Sequence, residues 1–175
     1  MKKTIFLTVA LLLMASFAYG QSSTTGTTSL TVNVAAAAAL QVNTATTSLT
    51  QGGIFSDFTG TTSLTYWVRT TPSSGSGTIV LQVTSDFSPT GGPSVASPPA
   101  GDSLTYTCTL GGVGTACSGS QTALTTGTTN VATFGANARS AKAGDSASVS
   151  WTLTNDPQYP TGSYSATATF TISAT

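Results

Sequence analysis

The residues able to do chemistry are few, and what is missing narrows the field. There is no His and no Glu, and the five carboxylates, Asp57, Asp86, Asp102, Asp145 and Asp156, stand singly along the chain. A Ser-His-Asp unit therefore cannot form, and no tuned carboxylate pair is available for acid-base work. No Asp-x-Asp calcium pattern, Gly-x-Ser-x-Gly elbow or Gly-rich phosphate loop occurs. The expectation is a chain that is no enzyme and takes no cofactor and no metal. The remaining reactive pair is Cys108 and Cys117, the only cysteines. In an exported protein two cysteines favour one disulfide, here across a stretch holding Gly111, Gly112 and Gly114, so the bridge would staple a short Gly-rich hairpin or loop.

Binding chemistry is equally sparse. Beyond Lys2 and Lys3, three cations (Arg69, Arg139, Lys142) face five Asp, a net charge of −2. Nucleic acid is excluded as a partner, because displacing counterions from phosphate needs clustered Lys and Arg. Charged residues make up 6% of the chain, against roughly 25% in ordinary soluble domains, so solubility rests on Ser and Thr hydroxyls. Two of the three cations lie in Ala138–Asp145, a small basic loop. Tyr66, Tyr106, Tyr164 and Trp151 alternate in phase with aliphatic residues and are expected in the core. Trp67 is out of phase with Leu64, Tyr66 and Val68, which makes it the one aromatic expected at the surface, a candidate contact for a glycan or a surface protein.

The elements that must position these residues are strands. No segment carries a convincing helical period, and β-branched residues with turn signals dominate. Alternation marks Thr61–Thr70, Thr78–Thr84, a strand starting at Leu104, weaker stretches at Thr122–Thr126 and Asn130–Phe134, and Ala147–Leu153. Between Ser88 and Gly101 lie four Pro and three Gly, a loop that no central strand could contain. Near the start, Leu30, Val32 and Val34 alternate, the Ala35–Ala39 run is a kink or switch, and a short strand continues through Leu40 and Val42. This predicts an all-β protein, an immunoglobulin-like β-sandwich of about seven to nine antiparallel strands, with a closed barrel as the alternative.

The first twenty residues predict a cleaved export signal. Lys2 and Lys3 precede an apolar stretch from Ile5 to Met14, and Ala18-Tyr19-Gly20 forms a small-x-small cleavage site. Residues 21–34 then form an N-terminal extension and 35–175 the sandwich domain. The chain is expected in the periplasm, at the cell surface or outside the cell, with no membrane span. The final stretch alternates Tyr164, Ala166, Ala168, Phe170 and Ile172 with Ser or Thr. Its Gly162-Ser-Tyr164 opening has the form of the corner before the next-to-last strand of an immunoglobulin sandwich. A sandwich ending there either finds its closing strand elsewhere in the chain or receives it from another molecule.

Several short motifs together resemble a known family. Val32-Asn-Val34-Ala-Ala, Leu40-Gln-Val42, Thr47-Ser-Leu49 before Gly52, Asp102-Ser-Leu104-Thr-Tyr106, Ala143-Gly144-Asp145 and Thr161-Gly162-Ser-Tyr164 are similar to stretches of the spore coat protein U-like domain. That family is related to the pilins of archaic chaperone-usher systems. It usually has a Cys where Ala36–Ala38 stand and tends to finish on an aromatic, whereas this chain pairs Cys108 with Cys117 and closes Ile172-Ser-Ala-Thr175. The resemblance implies a sandwich lacking its last strand, filled first by a periplasmic chaperone and then by the next subunit's N-terminal extension. Leu30, Val32 and Val34 would be the donor, and Tyr164, Ala166, Ala168, Phe170 and Ile172 the acceptor edge. The same Leu30–Val34 segment could instead fold back as the chain's own first strand. Two functions follow: a secreted structural subunit of a fibre or coat that self-associates, or a self-contained binding module using Trp67 and the 88–101 loop.

Overall fold

The computed structural model describes residues 25–99 and 101–175. The expected signal segment and Gln21–Thr24 lie outside them. Residues 34–175 form one compact unit. Ten strands are found among the described residues: β1 (Ala37–Val42), β2 (Thr50–Gln51), β3 (Phe58–Arg69), β4 (Gly77–Ser88), β5 (Leu104–Leu110), β6 (Thr115–Ala116), β7 (Gln121–Thr122), β8 (Thr129–Phe134), β9 (Asp145–Leu153) and β10 (Ser165–Ala174). Three of them have two residues each, too short to leave a period in the sequence.

The strands form two antiparallel sheets, in the orders β1-β3-β9-β5-β7, with β2 also on β3, and β10-β4-β8-β6. This is the expected all-β sandwich. The run β1-β3-β9-β5 reproduces the A-B-E-D order of an immunoglobulin sheet, and β10 beside β4 reproduces F beside C. In that plan a strand G pairs with the outer edge of F. Among the described residues of 34–175 nothing pairs with the outer edge of β10.

Period-2 alternation builds the core between the sheets. Leu64, Tyr66 and Val68 of β3, Ile79, Leu81 and Val83 of β4, and Ala147, Val149, Trp151 and Leu153 of β9 all point inward and are buried. Tyr106 is buried too, its hydroxyl donating to the Asn130 carbonyl at 2.9 Å and sharing a hydrogen bond of 2.7 Å with Thr129 Oγ1. The outward positions of the same strands carry hydroxyls in register. Thr59, Thr152 and Thr105 form one row across β3, β9 and β5; Thr61, Ser150 and Thr107 the next; Ser63, Ser148 and Thr109 a third.

Two local expectations are corrected. The strand expected over Leu30–Val34 is absent, because an alternating run becomes a strand only when another edge offers it N–H and C=O partners. The first strand of the sandwich is Ala37–Val42, paired with β3 from Ala37↔Arg69 to Val42↔Leu64. The strand expected over Thr122–Thr126 stops at Thr122. There the chain crosses between sheets, Ala123 N donating to Leu104 O at 2.9 Å and Leu124 O accepting from Val83 N at 2.9 Å.

Cys108 and Cys117 form the expected disulfide, with Cα atoms 5.5 Å apart. It does not close a hairpin. Cys108 lies on β5 in one sheet, and Cys117 follows β6 in the other, its N–H extending the ladder to Val131 O. The Gly-rich stretch between them is the crossing, and the bridge ties the two sheets together.

Candidate functional site: an open cleft beside β10

Burial along β10 differs from every other long strand. The inward positions of β3, β4 and β9 are buried along the sandwich, whereas Ala166, Ala168, Phe170, Ile172 and Ala174 are only half-buried although they face the same core. Their exposed flank opens onto a cleft of about 930 Å³. β10 supplies one wall through Ala166, Ala168 and Phe170. The other comes from Val42 at the end of β1 and the following loop through Leu49, and Trp151 and Leu153 of β9 contribute at its base.

The floor is held by a short polar relay. The indole N–H of Trp151 donates to Thr62 Oγ1 at 2.8 Å, and Thr62 Oγ1 shares a hydrogen bond of 2.6 Å with Thr47 Oγ1. Thr62 occupies an inward position of β3 and would otherwise be a buried hydroxyl without a partner. The same bond fixes the loop from Thr44 to Leu49 against the sheet. Gly60 permits that approach, since a Cβ there would lie 2.7 Å from Ser48 O.

At the mouth, Tyr164 makes the expected corner, its hydroxyl donating to Pro160 O at 2.8 Å. Its ring covers Gly92, where any Cβ would overlap it, so the Pro-rich loop packs onto the start of β10. That loop is organised by Asp86. Its carboxylate accepts from Phe87 N, Ser94 Oγ, Val95 N and Ala96 N at 2.7–3.2 Å. Partial burial works to raise its pKa, but the hydrogen bonds from Val95, Ser94, Phe87 and Ala96 outweigh it and hold the carboxyl below its ordinary value. Tyr159, also on the cleft, donates its phenol to Asp102. Burial first, then Asp102 and Asp156, push that phenol up.

Of the expected acceptor residues, Tyr164, Ala166, Ala168 and Phe170 line this cleft, and Ile172 continues the same face beyond it. Leu30 and Val32 belong to residues 25–33, which carry no strand, and their side chains are 91% and 82% exposed. Val34, just before β1, is 59% exposed. Trp67 is half-buried on the outer face of β3. Its indole N–H donates to Lys142 O at 3.3 Å and its ring packs on Gly144, so the basic loop partly covers it. Ile54 and Phe55, at the tip between β2 and β3, were not singled out by the sequence pattern. They are 91% and 62% exposed, and Phe55 also reaches the cleft. Their signal was there: two large apolar residues between Gly52-Gly53 and Ser56-Asp57, where a turn leaves no inward face to hide them.

Among the described residues no three or more of His, Cys, Asp and Glu come together as metal ligands, and no helix is long and apolar enough to cross a membrane. Comparison with protein-family models, curated proteins and solved structures finds no match.

Proposed function

We propose that this chain is a secreted, non-catalytic structural subunit of a bacterial surface fibre or coat, assembled by strand addition. The cleft beside β10 receives the Leu30–Val34 segment of another copy, after a periplasmic chaperone has held it open. The observation that carries the proposal is the unpaired edge of β10 beside half-buried core positions. An unpaired edge over an open core is an aggregation hazard in a monomer and a means of polymerisation in a fibre. Leu30, Val32 and Val34 place three side chains on one face at about 6.6 Å intervals, the spacing that drops alternate residues into a sheet's inner face.

The test is removal of Gln21–Val34. The shortened chain should form no SDS-resistant ladder, and a peptide of residues 25–36 should bind it and protect β10 amides from hydrogen exchange. If the full chain never forms such ladders and the shortened chain is a stable monomer indifferent to the peptide, strand addition is wrong.

A further inference from the structure

The charges of this chain are sorted to the two ends of the sandwich. Asp57 precedes β3, Asp86 lies near the end of β4, Asp102 precedes β5 and Asp156 follows β9. All four positions are at the end where the cleft opens. Arg69 closes β3, Arg139 bridges to it, and Lys142 lies three residues before β9, all at the opposite end and all exposed. The one acidic side chain there, Asp145, is turned onto backbone, accepting from Val113 N at 2.9 Å and Ala141 N at 3.1 Å. Among the described residues, one pole thus holds four Asp side chains, Asp57 exposed and Asp86, Asp102 and Asp156 half-buried, and no cation, and the other holds three exposed cations and one half-buried Asp.

Each pole also carries apolar surface. The acidic pole has the exposed Ile54–Phe55 tip, with Phe55 held at φ 53°, a conformation that bulky residues rarely adopt. The basic pole interleaves its cations with exposed Ala136, Ala141 and Ala143.

We infer that the acidic pole docks on the basic pole of a second copy, with the Ile54–Phe55 tip seated among the alanines and the charges around it. This rests on the strand-addition proposal and deepens it. Val34 is separated from Ala37, the first residue of β1, by only Ala35 and Ala36. Ala35 O accepts from Arg69 Nε at 2.7 Å, so the donor segment departs from the basic pole. The three steps from Val34 to Ala37 reach at most about 11 Å. A donor seated in a cleft that opens at the acidic pole therefore draws its own basic pole against that surface. Its C-terminal end then lies at the acidic pole, where β10 begins, so it runs antiparallel to β10, the direction strand G takes beside F. Opposite charges on the two surfaces speed the encounter and select head-to-tail contact over head-to-head.

Charge reversal separates this from strand addition itself. Full-chain protein carrying R139E/K142E has two negative poles, and protein carrying G52K/I54K/D57K/Q158K has the side-chain charge of its acidic pole reversed from four Asp to three Asp against four Lys; all six positions are exposed. Ladder growth is followed at about 20 mM and about 500 mM salt, with thermal unfolding as the folding control. The wild-type rate should fall at high salt, where the Debye length is only a few ångströms. Each variant alone should grow about tenfold or more slowly at low salt, and an equal mixture should recover most of the wild-type rate with the two variants alternating. Wild-type ladders with variants growing at the wild-type rate, or a mixture no faster than its components, overturn the pole contact and leave strand addition standing. A wild-type chain that forms no ladder overturns both.

Discussion

Phe170 offers a test of the cleft that needs no fibre. It sits on the inner face of β10 opposite Leu81, half-buried because the neighbouring edge is open. Truncating a fully buried Phe to Ala costs about 3–5 kcal/mol. With part of the ring already in water, Phe170→Ala should cost about half of that, roughly 2 kcal/mol, in the isolated chain. Once residues 25–36 of another molecule cover the ring, the full cost returns, so the substitution and the peptide should couple by about 1–2 kcal/mol. That corresponds to a peptide affinity roughly tenfold weaker for the variant. Leu81, with 0% exposure on the adjacent β4, is the control: Leu81→Ala should cost about 2–5 kcal/mol whether or not the peptide is bound. The assay is denaturant unfolding of the three proteins with and without saturating peptide. Equal Phe170→Ala costs in both conditions, or a wild type that the peptide does not stabilise, would refute the reasoning.

Three further outcomes follow. Replacing Cys108 and Cys117 by Ala removes a ring of about ten residues, worth about 3 kcal/mol by loop-closure entropy, and should lower Tm by about 6–12 °C in a scanning calorimeter. At high pH, burial first and then Asp145 push the Tyr66 phenol up to about 12, so the unfolded chain ionises first; stability should hold below pH 10, fall as pH rises through 12, and fall less steeply in Tyr66→Phe, as read by urea midpoints. At low pH the sign reverses for Asp86: its depressed carboxyl stabilises the fold above about pH 4 and loses that contribution as pH falls through its folded value, so Asp86→Asn should flatten the acid limb of the same curve.

Much of the fold could be read in the sequence because period 2 is unambiguous where one face is buried. Thr61–Thr70, Thr78–Thr84 and Ala147–Leu153 became β3, β4 and β9 with the expected inward faces, and Gly162-Ser-Tyr164 made its corner. That the chain has only two cysteines indicated their pairing but not that it would join two sheets, since a Gly-rich connection fits a hairpin and a crossing equally well. Leu30–Val34 misled for a related reason: alternation records which face wants to be dry, not whether an edge is there to meet it. The cleft itself could not be read, because Val42, Leu49, Trp151 and Phe170 come together only through the strand order. Ile54 and Phe55 show the opposite failure, a visible signal with no period to draw attention to it.

The hydroxyl rows on the outer face of β3, β9 and β5 give the flank of the molecule a character unlike its ends. Strands about 4.8 Å apart and alternate residues about 6.7 Å apart set Thr and Ser oxygens on a regular two-dimensional mesh. Hydroxyls do not titrate in the physiological range and their dipoles are not screened as charges are. Any contact made on this flank would therefore be read by hydroxyls, whose hydrogen bonding changes little with the acidity or salinity of the medium. Ionic strength would then set how fast such molecules line up end to end, and leave how they lie side by side untouched.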